Sequence, residues 1–278
     1  MDEQLVNIGE KMGGSEVPEY LYHYTNLETL KLILQNKTFR LSSLNGMDDL
    51  EEGDTEDFNK LGRFVYISSW TSNPNESLLL WNYSKGNEGV RLRMKSNIFK
   101  TVNINETINI HGINVPVNGD FNPGIIELMQ SKCVSFMPYK AELCRVTYTD
   151  LDRLLKPTVY KKCGCGSFGI ETIDLGVFKR TEWEDQKEWR YRLSSFPFSI
   201  LEQVTWFNNN DQRSLLTAIK SREDLGYIDL PLSDDAFDDI EILCSSKMSQ
   251  EAREELSKVL NQYAPNATVR NSGMRIRV

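Results

Sequence analysis

The sequence predicts an α+β fold, on three observations. A strand-like run, a Leu-rich helical run and a second strand-like run follow one another near the start, within about two dozen residues. Further on, Ile and Val alternate with Asn and Thr over Asn103–Val117, the pattern of a surface hairpin. From Glu184 onward, strand-period and helix-period segments alternate.

The elements follow in order. Residues 1–18 carry Gly9, Gly13, Gly14 and Pro18 among polar residues and read as a loosely ordered lead-in with one helical turn at most. Tyr20–Tyr24 reads as a strand, and Asn26 can cap the helix behind it, where Leu27, Leu30, Ile33 and Leu34 recur through Gln35. Thr38–Ser42 is the second strand. The acidic run Asp48–Asp57, broken by Gly53, reads as a solvated loop or helix face and lacks the alternating oxygens of an EF-hand. Gly62–Thr71 holds a buried strand, Phe64–Ile67, that ends in the polar cluster Ser68, Ser69, Trp70 and Thr71. Pro74 breaks it. Glu76–Ser84 is a short helix with Leu79 and Tyr83 on one face, and Glu88–Met94 returns to strand.

Past the hairpin, Gly124–Lys132 reads as helix and Leu143–Tyr148 as strand. Glu184–Leu193 is strand, Gln212–Ser221 helix, Ile240–Cys244 strand, and Ser249–Tyr263 an amphipathic helix capped by Ser249. Thr268–Arg270 and Met274–Val278 form a final pair. With no repeat and no long linker, residues 19–278 make one domain with a variable middle at about 100–175.

A chain of 278 residues buries a core without disulfides or metals, and 40% hydrophobic with 26% charged residues is ordinary globular composition. A net charge of -8 counts against a protein that coats duplex nucleic acid by charge alone and leaves a local basic groove open. The cysteines Cys133, Cys144, Cys163, Cys165 and Cys244 are odd in number and scattered, which fits a reducing compartment. Cys163-Gly164-Cys165-Gly166 reads as a Gly-rich loop, because zinc wants two such pairs or histidine partners; no metal is expected. The start shows no signal-peptide pattern and the apolar stretches are too short to span a bilayer, so a cytoplasmic chain without a membrane partner is expected.

Only two histidines are available for chemistry. His23, in Tyr22-His23-Tyr24-Thr25, ends a strand just before a helix, a place for either a ligand-binding edge or a satisfied structural imidazole. Strand alternation puts His23 and Thr25 on one face and Tyr22 and Tyr24 on the other. In Trp183–Leu193, alternation puts Trp189, Tyr191 and Leu193 on the core side and Gln186, Glu188, Arg190 and Arg192 opposite. That second face is either a half-exposed salt-bridge ladder or a cleft wall where guanidinium groups keep Glu188 ionised.

The run Tyr22-His23-Tyr24-Thr25 with its Leu-rich helix, then Arg40-Leu41-Ser42-Ser43, resembles the opening of the bacterial family called "domain of unknown function 2971". Trp81-Asn82-Tyr83, Gly89-Val90-Arg91-Leu92 and Glu188-Trp189-Arg190 extend the likeness, while Met47-Asp48-Asp49-Leu50 stands where that family has an Asn-Asp-Pro-like turn. The layout is also similar to the ADP-ribosyltransferase superfamily. That resemblance implies two mainly antiparallel sheets forming a cleft with flanking helices. It implies an NAD-dependent ADP-ribosyltransferase, in a toxin or antiviral-defence setting, with NAD as co-substrate and a protein, nucleic acid or small molecule as acceptor. His23 then holds a ribose hydroxyl, Ser68, Ser69 and Thr71 form the central Ser/Thr element, and Glu188 is the catalytic carboxylate. Gln186 and Arg190 lie on the acceptor side. Tyr24, Thr25, Trp81 and Tyr83 stand among the NAD-binding residues, with core packing the competing role for the aromatic ones. Two other readings stand beside it: a non-catalytic binding module on the same fold, and a metal-dependent nuclease using Asp185-Gln186-Lys187.

Overall fold

The computed structural model describes residues 16–84, 88–162 and 168–274. The expected lead-in through residue 15, the Cys163 and Cys165 loop and the segment after Met274 lie outside the described residues.

Strand β1 (Tyr20–Asn26) runs directly into helix α1 (Leu27–Asn36), whose first turn is capped by Asn26 Oδ1 accepting from the Thr29 N–H at 2.8 Å. Leu27, Leu30, Ile33 and Leu34 are its buried stripe, and Lys37 ends it in a left-handed conformation. There follow β2 (Thr38–Ser43), β3 (Val65–Thr71), α2 (Leu78–Tyr83) and β4 (Gly89–Lys95). The hairpin β5 (Val102–Ile110) and β6 (Ile113–Phe121) leads to α3 (Ile125–Ser131). Short pieces follow: β7 (Ser135–Phe136), β8 (Glu142–Arg145), β9 (Thr147–Tyr148), α4 (Asp152–Leu155), β10 (Tyr160–Lys162), β11 (Phe168–Ile170) and β12 (Phe178–Lys179). The last part holds β13 (Glu188–Phe196), α5 (Ile200–Asn208), α6 (Gln212–Ser221), β14 (Tyr227–Pro231), β15 (Glu241–Cys244), α7 (Gln250–Tyr263) and β16 (Thr268–Asn271).

The chain is α+β with mixed sheets. Ten strands form one large sheet, not two, in the order β14-β2-β3-β1-β4-β15-β16 with β13 on β3 and β7 and β8 on β13; three two-stranded pieces stand apart. Pairing is antiparallel except for β15 with β16 and β9 with β12. β13 follows β3 from Val65 to Thr71, which fills one edge of β3. β2 and β1 share the other edge, β2 at Tyr66 and Ile67 and β1 only at Thr71. The sheet therefore forks along Ser68–Trp70.

Helices α1 and α7 cover one face, with Leu30, Leu34, Leu256 and Leu260 packed among Leu21, Leu92, Trp70, Trp189 and Ile242. The second face of β3 and β13 is closed by chain segments that carry Leu44, Phe64, Leu175 and Phe198. β13 is thus buried on both faces. A half-exposed ladder does not survive this finding.

Two strand boundaries differ from expectation. Thr181–Gln186 winds as a 3-10 helix, the Lys187 N–H bonds the Glu184 carbonyl at 3.1 Å, and Lys187 takes φ 45°, so β13 starts only at Glu188. The expected strand Leu143–Tyr148 breaks at Val146, whose N–H bonds the Glu188 carbonyl at 3.0 Å; β8 pairs with β13 and β9 with β12. No helix among the described residues is long and apolar enough to cross a membrane.

Candidate functional site

β3 is the hinge of the site. Its register sets Thr71 beside both Glu188 and Tyr22, and Ser69 beside Arg190. A cavity of about 220 Å³ opens there, lined by Tyr22, His23 and Tyr24 of β1, Ser69 and Thr71 of β3, and Glu188 and Arg190 of β13. The segment Gly46–Asp49, Trp70 of β3, Leu80 and Tyr83 of α2, Lys179, Trp183 and Gln186 complete the wall. The volume lies below the ~300–1,000 Å³ usual for a whole drug-sized ligand, so it suits one end of a larger molecule.

At the floor lies a charge cluster. Arg190 Nε donates to Glu188 Oε1 at 2.7 Å, and Nη2 donates to Glu188 Oε2 at 3.1 Å and to Glu52 Oε2 at 3.0 Å. Nη1 donates to the Gly176 carbonyl at 2.9 Å and to Glu52 Oε1. All five guanidinium N–H groups are spent. Lys179 Nζ donates to Glu188 Oε2 and to Gln186 Oε1, each at 3.0 Å, and lies 4.8 Å from the Trp183 ring centroid. Two carboxylates face two cations, so the buried set is neutral, as burial of charge requires. Burial alone pushes the Glu188 carboxyl up, but Arg190 and then Lys179 outweigh it and bring it down to about 2. Burial likewise works against the charge on Arg190, and its two carboxylates more than restore it.

Glu52 reaches this floor because its loop is pinned. Gly53 takes φ +81°, and a Cβ on Gly62 would lie 2.7 Å from the Gly53 Cα. The Gly62 N–H bonds the Gly53 carbonyl at 2.8 Å. Asp57 accepts the Val159 and Tyr160 N–H groups. The acidic run is a loop, as expected, with Asp48 and Glu56 exposed, and it folds into the protein at the buried residues Glu52, Gly53 and Thr55.

His23 sits in the fork. Its strand partner is the core residue Leu92, so register gives it the face opposite Glu188, yet it lines the same cavity. Its ring packs 5.0 Å from Phe39 and 5.0 Å from Trp70. Nδ1 lies 2.8 Å from the Ser69 carbonyl, within the fork. A carbonyl only accepts, so Nδ1 carries the proton and Nε2 presents a lone pair. Burial pushes the imidazole down to about 4, against the smaller upward pull of the Ser69 carbonyl. It is neutral at pH 7.

The expected residues divide. His23, Tyr24, Ser69, Thr71, Tyr83, Gln186, Glu188 and Arg190 meet at the cavity. Thr25, Ser68 and Trp81 do not line it. Thr25 lies on the Leu92 face of β1. Ser68 faces the core side, where its Oγ accepts from Trp70 Nε1 at 3.0 Å. Trp81 packs edge-on against Tyr24 and donates to Glu76. Gln186 and Arg190, expected on the acceptor side, line the cavity with their polar atoms bonded to the protein. Gln186 is buried between Lys179 and the Tyr83 hydroxyl, 3.4 Å from Nε2, and Arg190 has no donor left. Lys179, Glu52 and Tyr148, whose hydroxyl accepts the Glu188 N–H at 2.9 Å, belong to the site and carry no sequence motif. Asp185 and Lys187, the nuclease candidates, are exposed and line no part of the cavity. Among the described residues no cluster of three or more His, Cys, Asp or Glu is placed to hold a metal ion.

No family model, curated protein or solved structure matches this chain.

Proposed function

We propose that the cavity binds the reacting end of NAD and that the chain is an ADP-ribosyltransferase, splitting the nicotinamide–ribose bond and passing ADP-ribose to an acceptor. The observation that carries this reading is the meeting of His23 and Glu188 in one cavity, from strands joined through Ser69 and Thr71 of β3. The residues present fit the ligand. Tyr22, Tyr83 and Trp183 put aromatic rings in the cavity wall beside carboxylates that attract a cationic pyridinium.

Cleavage leaves positive charge on the sugar. Glu188, kept ionised and fixed in one rotamer by Arg190 and Lys179, is preorganised to stabilise that charge. His23 Nε2 can accept from a ribose hydroxyl and so orient the ring. Incubation of the protein with NAD, with nicotinamide followed by chromatography, tests the proposal. Release by the wild type and a loss of roughly 100-fold or more in Glu188→Gln is the expected result.

One observation favours a second reading, a binding module without turnover: the cations that fix Glu188 also offset its charge. Tight NAD or ADP-ribose binding by calorimetry, equal in wild type and Glu188→Gln and without nicotinamide release, would establish that reading instead.

A further inference from the structure

Transfer to any O–H or N–H acceptor needs a group to take the acceptor's proton; with the His23 lone pair engaged by the ribose hydroxyl, the cavity holds three carboxylates to choose from. Glu188 has Oε1 on Arg190 and Oε2 on both Arg190 and Lys179. Asp49 Oδ1 accepts the Glu51 N–H at 3.0 Å and shapes its own turn. Asp48 is different: it lines the cavity, is exposed to solvent, and makes no hydrogen bond or ion pair among the described residues. Tyr83 lines the cavity together with Asp48 and Glu188, and after burial the charges of these two carboxylates are what raise its hydroxyl. The titratable groups sharing the cavity with Asp48 are Asp49 on its own loop, Tyr22, His23 and Tyr24 of β1, Tyr83 of α2, Lys179 of β12, and Glu188 and Arg190 of β13.

From this geometry we infer that Asp48 is the general base for the acceptor, while Glu188 only stabilises the sugar cation; the inference rests on the transferase reading. In the step, the bond between nicotinamide nitrogen and ribose C1′ breaks and its electron pair stays on nitrogen, neutralising the pyridinium. The acceptor oxygen or nitrogen bonds to C1′, and its proton moves to an Asp48 carboxylate oxygen. The inference singles out acceptors with a proton to lose, water included.

The test compares wild type, Asp48→Asn and Glu188→Gln on NAD in water, with and without sodium azide, an anionic nucleophile that has no proton to give up. Asp48→Asn is expected to bind NAD as the wild type does and to hydrolyse it ~100-fold or more slowly. Azide then restores nicotinamide release and forms ADP-ribosyl azide, read by mass; Glu188→Gln is not restored. Hydrolysis by Asp48→Asn at the wild-type rate, or a loss that azide does not repair, overturns the role of Asp48 and leaves the transferase intact. A wild-type chain that releases no nicotinamide sinks the functional reading, and the base with it.

Discussion

Arg190 and Glu188 stand two residues apart on one face of β13, and the guanidinium reaches back along the strand to close two hydrogen bonds, 2.7 and 3.1 Å, on the carboxylate. Residues i and i+2 of a strand lie about 7 Å apart, so the long arginine side chain bridges what two short ones could not. The strand carries its own counterion, and Glu52 and Lys179, from two other segments, add one charge of each sign and keep the buried set neutral.

Removing the arginine leaves two buried carboxylates with one cation. We expect Arg190→Met to lower stability by about 3–5 kcal/mol, the usual cost of breaking a buried ion pair from one side. Urea unfolding checks this; a loss under about 1 kcal/mol would show that the cluster is hydrated and loosely held.

Acid sensitivity separates the two anchors of the site. The Glu188 carboxyl lies near 2 in the folded protein against an ordinary 4.5, so its contribution is complete above 4.5 and disappears as pH falls toward 2. That contribution is about 3 kcal/mol in order of magnitude. His23 lies near 4 against an ordinary 6.5. The unfolded chain takes up that proton first, so stability falls between pH 6.5 and 4. Unfolding free energy measured against pH is expected to flatten in the upper window for His23→Gln and in the lower window for Glu188→Gln. Identical profiles for wild type and both variants would remove the electrostatic account of the site.

The glycine contact under the acidic loop makes a third case. A methyl group on Gly62 meets the Gly53 backbone, which cannot turn aside as a side chain could. Gly62→Ala is expected to cost about 1–3 kcal/mol and to loosen Glu52. Thermal unfolding reads the first effect, and hydrogen exchange at Glu51–Gly53 the second. Unchanged values in both would mean that the two chain segments have room to part.

Much of the fold is legible locally. The Asn26 cap, the stripe Leu27, Leu30, Ile33 and Leu34, and the Ser249 cap are signals a few residues long, and the helices form where they say. The start of β13 is not legible. Trp183-Glu184-Asp185-Gln186 alternates like a strand, yet the left-handed Lys187 and the 3-10 turn depend on what the segment packs against. Glu188 is readable because its alternation with Trp189 survives from that point on. Glu52 and Lys179 are not, since a buried charge is recognised only by its partner, and these partners are more than a hundred residues apart in one case: Glu52 and Arg190. His23 is half legible: alternation gives its face correctly, but the fork that lets it reach the cavity is a property of three strands together.

The fork also bears on how a ligand makes itself known. Along Ser68–Trp70 one edge of β3 lacks a strand neighbour, so the β2 side and the β1 side are joined there through His23 and side-chain packing. A molecule seated between them holds the two sides together, and its binding free energy adds to the work of unfolding: about 2.7 kcal/mol at a hundredfold excess over Kd. Heat resistance thus becomes a reporter of occupancy that requires no turnover, and a panel of nucleotides can be ranked by melting temperature alone.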